Sequence, residues 1–380
     1  MPLSLKHNAA RLSVCCCTSI ALYFVLVITY PCVFIAQVYA AAFWESERSL
    51  GDKCDIDKRG EEALAHYRLA LKAVPAGDLI NKADLQTLVI LQLVKLKRDD
   101  QASLDLNLLV NQMRQIGGQH AATDRLLYSL TALAEELDMR AQGGQGTFAQ
   151  RKRQLSMLER LYCNCLPKYV GVDRLCAETR VFLSYGDNHS AWQFMENIAP
   201  YMHFTDHKRD KFVARIAVVK KRDGKPETYN KLFSDLTAKK GLGQAAATMA
   251  DAQTWAADYE GCIQTIESAR KSLKKSGNLD SAALRAMSMS LIDCSMDRGA
   301  WSLAEKECKT WLALPGANTS PDHKLVLQGL IRCLQQQSKN AEAKKYEQQI
   351  NSGLSDYDFI TEDEKAIQKE IQSRRGKNSK

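Results

Sequence analysis

The sequence predicts an all-α protein, an α-solenoid of about eight antiparallel helical hairpins preceded by one N-terminal transmembrane helix. Three observations carry this. Apolar residues recur at three- and four-residue steps along most of the chain, and no alternating strand pattern is found. Only 8 prolines and 20 glycines occur in 380 residues, too few for many short strands with turns. From Leu12 to Trp44 no charged residue occurs. About 20 apolar residues cross a bilayer as a helix, and this run is longer.

Composition sets the outer bounds. Hydrophobic residues make up 45% and charged residues 25% of the chain, the balance of a folded protein. The net charge of +8 is spread thinly, with an uncompensated cluster only in the terminal "SRRGKNSK". The basic runs "KLKR", "RKR" and "KSLKK" fall at helix ends, where cations suit the negative end of the helix dipole. They are not interleaved with stacking aromatics, so no nucleic-acid partner is expected.

The chain then reads in four parts. Residues 1–13 form a short cytoplasmic tail, because Lys6 and Arg11 precede the apolar run and favour a cytoplasmic N-terminus. Residues 14–43 form the transmembrane helix, which places the following domain on the non-cytoplasmic side. A long cleaved signal is the alternative, since Val38-Tyr39-Ala40 and Ala40-Ala41-Ala42 fit a small-residue cleavage site. Residues 44–355 carry the hairpins. Residues 356–380 hold a capping helix from Thr361, where "TEDE" forms a capping box, and the basic tail.

The first hairpin is legible in "SLGDKCDIDKRGEEALAHYRLALKAVP", residues 49–75. Leu50, Gly51 and Cys54 share one face of a short helix, "DKRG" breaks it, and Ala63, Tyr67, Ala70 and Leu71 mark a second helix that Pro75 ends. Small residues at Gly51 and Ala63 allow close approach, and Tyr67 fills the remaining space. The intervals are Glu47-x2-Leu50-Gly51-x2-Cys54, then Ala63-x3-Tyr67, then Pro75. They match the tetratricopeptide pattern with the Trp and Tyr positions substituted, and the segment resembles a tetratricopeptide repeat. Two later stretches keep the same steps. Met249 and Ala250 face Cys262, Ile266 and Ala269, and Leu291 and Ile292 face Ala304, Cys308 and Trp311, with Tyr259 and Trp301 at the turns. Weaker copies place Val89 and Leu93 against Ala102, Leu106 and Leu109, and Leu175 and Phe182 against Ala191, Met195 and Ile198. Residues 120–164 and 208–239 complete the array as helix pairs broken at "AQGGQGT" and "RDGKP".

The resemblance implies an interaction scaffold that grips a protein or peptide partner along an inner wall lined by the first helices. In that geometry Asp52, Asp251 and Asp293 share one inner position, and Met289 and Met296 line the same wall as adaptable apolar contacts. The binding expectation therefore rests on Asp251, Asp293, Met289 and Met296, for a basic or polar segment with apolar anchors. The family's carboxylate clamp is not expected, because its matching inner positions, Arg48 and Asp52 in the first repeat, include an acid where an amide should stand.

A catalytic reading has one place to stand, "YMHFTDHKRD". There His203 and His207 lie four apart with Asp206 beside them, and His189 lies upstream. No HExxH, P-loop, GxGxxG or GxSxG motif occurs, so no enzyme and no cofactor is expected. Cys163-Asn-Cys165 with Cys176 lacks the second pair a structural zinc site presents.

Overall fold

The structure, a computed structural model, describes residues 42–117, 122–143, 146–166, 171–202 and 204–353. The expected membrane segment lies outside these residues except for its last two, and the capping helix expected from Thr361 lies outside them entirely. Among the described residues no helix is long and apolar enough to cross a membrane.

Sixteen α-helices and no strand are found there. They form eight consecutive hairpins. In the first half these are α1 (42–56) with α2 (Gly60–Ala73), α3 (Leu79–Lys95) with α4 (Asp99–Gln115), α5 (Asp124–Gln142) with α6 (Phe148–Asn164), and α7 (Val172–Ser184) with α8 (Asn188–Ile198). The second half holds α9 (Asp206–Arg222) with α10 (Pro226–Lys240), α11 (Leu242–Trp255) with α12 (Tyr259–Ser276), α13 (Ser281–Asp297) with α14 (Trp301–Leu312), and α15 (His323–Gln336) with α16 (Asn340–Gly353).

The chain divides into two compact units between Lys208 and Arg209. Within unit 1, α3 packs on α5 and α5 on α7, while α4 packs on α6 and α6 on α8. Within unit 2, α11 packs on α13 and α13 on α15. First helices thus stack on first helices, as in repeat arrays, because one hairpin cannot bury its apolar face alone.

One turn is repeated in seven of the eight hairpins. The first helix ends on a residue in the left-handed region: Lys58, Lys97, Gly186, Gly224, Ala257, Gly299 and Ser338. The next residue donates its backbone N–H to the carbonyl five positions back, as in Arg59 to Cys54, Asp258 to Gln253, Ala300 to Ser295 and Lys339 to Leu334, each at 2.8 Å. This is the Schellman arrangement, which satisfies carbonyls orphaned at the helix end. Four of these positions are not glycine and accept the unfavourable backbone region, so tertiary packing rather than local preference holds them. The exception is α5/α6, where the longer "GGQGT" connection ends in a capping box made by Thr147 and Gln150.

The first hairpin shows what the repeated turn positions. Ala63 has no exposed surface and Tyr67 is 1% exposed. A Cβ on Gly51 would lie 2.6 Å from the Tyr67 ring, so the helix crossing requires glycine there. Leu50, expected on the buried face, is 42% exposed, and Trp44 is buried instead. The buried face of α1 runs through Trp44, Arg48, Gly51 and Cys54, so it keeps the expected Gly51 and Cys54 and leaves Leu50 outside.

Candidate functional site

The left-handed residue gives each hairpin a common origin. Asp52, Asp251 and Asp293 all lie six positions before it, ahead of Lys58, Ala257 and Gly299 respectively. The three aspartates therefore share one register position, as the sequence pattern implies, yet their surroundings differ.

In unit 1 that position is engaged. Tyr67 Oη donates to Asp52 Oδ1 at 2.8 Å, and Arg48 Nε lies 3.9 Å from Asp52 Oδ2. Arg48 itself is buried against Asp84, at 2.9 Å. Neither side chain is free to hold a peptide carboxylate.

In unit 2 the same position carries a pair of acids on adjacent first helices, Asp251 on α11 and Asp293 on α13. Asp251 Oδ2 is shielded from water and accepts no hydrogen bond. Asp293 has an exposed surface, yet enough protein surrounds it to desolvate its carboxyl. That crowding, with the like charges of Asp251 and then Asp297, pushes its carboxyl up to about 6, while Lys211 on α9 pulls the other way. Asp297 and Lys211 belong to this cluster but were not signalled by the sequence. Asp297 lies outside the shared register position, and Lys211 lies on another helix more than eighty residues from Asp293 in sequence.

Met289 and Met296 flank Asp293 on its own helix at i−4 and i+3, which is one face. Both are half-buried and pack against the core formed by Ile292, Cys308, Trp311 and Leu330. Their outer surfaces border Asp293, so the wall presents one anion between two flexible apolar side chains.

The catalytic reading gains no partner here. His203 lies outside the described residues, and so does the side chain of His207. His189 stacks edge-on against Trp192, with ring centroids 5.0 Å apart. Among the described residues no group of three or more His, Cys, Asp and Glu is placed to hold a metal ion. A cleft of about 400 Å³ in unit 1, between α4, α5 and α6, is lined by Lys97, Asp99, Glu136, Arg140 and Gln154. Arg140 Nε donates to Glu136 at 2.5 Å and Gln154 Nε2 to Asp99 at 3.1 Å, while Asp99 Oδ1 and Gln154 Oε1 are buried and accept no hydrogen bond.

The fold thus defines a class, an all-α protein built of stacked helical hairpins. No family model and no curated protein matches the chain. Among solved structures it is similar to a tetratricopeptide repeat protein from Parabacteroides merdae ATCC 43184, at 10% identity over 77% of this chain and 99% of the other, with a TM-score of 0.26. It is also similar to yeast Tom70, at 10% identity over 89% of this chain and 96% of the other, with a TM-score of 0.27.

Proposed function

We propose that this chain is a non-catalytic interaction scaffold, and that its second unit binds a basic segment of a protein partner. The observation that carries the reading is the Asp251–Asp293 pair. Two carboxylates on adjacent helices repel each other, and one keeps a shielded oxygen without a donor. An incoming lysine or arginine relieves both costs, since a charge-assisted hydrogen bond is shorter and stronger than a neutral one. Met289 and Met296 supply adaptable apolar contact on either side. A free C-terminal carboxylate would meet like charge.

The test is direct binding of short peptides followed by fluorescence anisotropy. Basic peptides with apolar anchors are expected to bind, and more weakly as salt rises from low to moderate. In the variant Asp251→Lys with Asp293→Lys, binding is expected to fall at least about tenfold, because the charges that attract the basic peptide become repulsive. Unchanged binding in a correctly folded double variant would remove the groove from the proposal.

The scaffold is further proposed to be membrane-anchored through residues 14–43, with the hairpins on the non-cytoplasmic side. The support is the charge-free run and the basic residues before it. A second reading, an exported soluble assembly factor, draws on the small-residue runs Val38-Tyr39-Ala40 and Ala40-Ala41-Ala42, which fit a signal cleavage site. The full-length chain is expected to fractionate with membranes, with its C-terminus protected from protease in sealed vesicles. Recovery of a soluble form beginning at Ala41 or Phe43 would overturn the anchor and establish the second reading.

A further inference from the structure

Four cysteines of unit 2 fall into two pairs, each across the interface between one hairpin and the next. Cys262 is on α12 and Cys294 on α13, in one buried core with Ile266, Ala269 and Met287. Each sulfur reaches the backbone of the other's helix. Cys262 Sγ lies 3.9 Å from the carbonyl of Ser290, one turn before Cys294, and Cys294 Sγ lies 3.6 Å from the carbonyl of Tyr259, one turn before Cys262. The next interface repeats the arrangement with Cys308 on α14 and Cys333 on α15. A Cβ on Gly329, one turn before Cys333, would lie 3.7 Å from Cys308 Sγ. Cys294 and Cys333 also share a register position, each five residues before the left-handed turn residue, Gly299 or Ser338. All four are free thiols with no exposed surface.

We infer that Cys262 with Cys294, and Cys308 with Cys333, are two modification sites at which a peroxide oxidises paired thiols to disulfides. Each disulfide staples the second helix of one hairpin to the first helix of the next. The alternative role for a buried cysteine, a small apolar filler, does not require first-helix cysteines at one register position each to lie beside a cysteine of the preceding hairpin's second helix.

The pairs are also polarised. Cys262 is the largest influence lowering the Cys294 thiol below its ordinary value, against burial, and Thr254 and Arg298 act in the same direction. Cys308 does the same for Cys333, aided by Arg332. Cys294 and Cys333 are therefore the attacking sulfurs, because the thiolate is the nucleophile. The Cys294 thiolate attacks one peroxide oxygen, an S–O bond forms, the O–O bond breaks and hydroxide leaves, giving a sulfenic acid. Cys262 then attacks that sulfur as its thiolate, the S–S bond forms and the S–O bond breaks, releasing a second hydroxide. The two thiol protons convert both hydroxides to water. Two electrons pass from the sulfurs to the peroxide. Because the thiols are buried, the reaction proceeds through local opening of the hairpin.

The test treats the folded, full-length chain with hydrogen peroxide, unfolds it in an alkylating agent, and maps linked peptides by mass spectrometry. Two links are expected, Cys262–Cys294 and Cys308–Cys333. In Cys262→Ser, dimedone is expected to trap a sulfenic acid at Cys294, and in Cys308→Ser at Cys333. Amide hydrogen exchange across α12–α15 is expected to slow by about a hundredfold on oxidation, with α1–α8 as the internal reference. Four alkylated thiols, links to other cysteines, dimedone on Cys262 or Cys308 in the wild type, or unchanged exchange in α12–α15 would each overturn the inference. The wild-type link map stands without the variants, so a misfolded variant leaves it decisive.

Discussion

Replacing Arg48 with methionine is expected to cost unit 1 about 3–5 kcal/mol, the typical loss when one partner of a buried ion pair is removed. Arg48 is 6% exposed and Asp84 1% exposed, so the pair is closed off from water. Arg48 Nη1 lies 2.9 Å from Asp84 Oδ2, close enough for an ion pair although not aligned as a hydrogen bond. Ser129 Oγ donates to Asp84 Oδ1 at 2.7 Å. Arg125 approaches the same carboxylate at 3.5 Å but is half in water, which screens it. Burial pushes the Asp84 carboxyl above its ordinary value, and Arg48 is the largest influence holding it down. Without Arg48 that acid is left either ionised with a weak partner or protonated at a cost.

The double variant Arg48→Met with Asp84→Leu is expected to recover most of the loss, because an apolar pair of similar volume needs no desolvation of charge. The single variant should also regain stability on acidification, since protonation of Asp84 then removes the unpaired charge. Urea unfolding, read through the buried Trp44 in α1, measures all three. A single variant within about 1 kcal/mol of wild type, or a double variant no better than the single, would show that α1 and α3 are not held by this pair.

Unit 1 is also expected to lose stability as pH rises from about 5 to 8, and the variant Glu178→Gln to lack that part of the slope. Glu178 has no exposed surface. Tyr162 Oη donates to its Oε1 at 2.8 Å, and Arg174 Nε lies 3.3 Å from the same oxygen and 3.3 Å from Asp138. Burial is the largest influence on its carboxyl. Tyr162 and Arg174 offset part of it, Asp138 adds to it, and the carboxyl rises to about 8. An unfolded chain releases that proton near the ordinary value of 4.5, whereas the folded chain holds it to about 8. Between those values the folded state binds the additional proton, so stability is full below the lower one and falls as pH rises through the window. One group contributes at most about 1.4 kcal/mol per pH unit. Glutamine keeps an acceptor for Tyr162 and has no proton to lose. Thermal unfolding at pH 5, 7 and 9 checks this, and equal slopes for wild type and variant would refute the neutral, buried Glu178.

Much of the fold was already written in local patterns. The all-α class, the breaks at "DKRG", "DYEG" and "RDGKP", the small residues at Ala63 and Ala304, and the shared register of Asp52, Asp251 and Asp293 depend on neighbours within one hairpin. Spacing of 3.6 residues and the residue types that break helices encode these directly. The seven recurring left-handed turns were half legible. Glycine marks three of them, but Lys58, Lys97, Ala257 and Ser338 give no local sign, because packing imposes the backbone there.

What only the tertiary structure decided is which polar groups meet. Leu50 lies outside the buried face of α1 and Trp44 lies within it, a difference that the apolar count of α1 does not register. Asp52 and Asp251 hold the same place in the repeat, yet Tyr67 and Arg48 occupy the first, while the second faces Asp293. Glu178 reads as an ordinary helix acid until Tyr162 and Arg174 are found against it. Cys262 and Cys308 find their partners 32 and 25 residues away, on the following helix. In each case the partner lies on another helix, and hydrophobic periodicity specifies which face of a helix is buried but not which side chain lies opposite. That choice is made by the stacking of one hairpin on the next, where close packing leaves few alternatives.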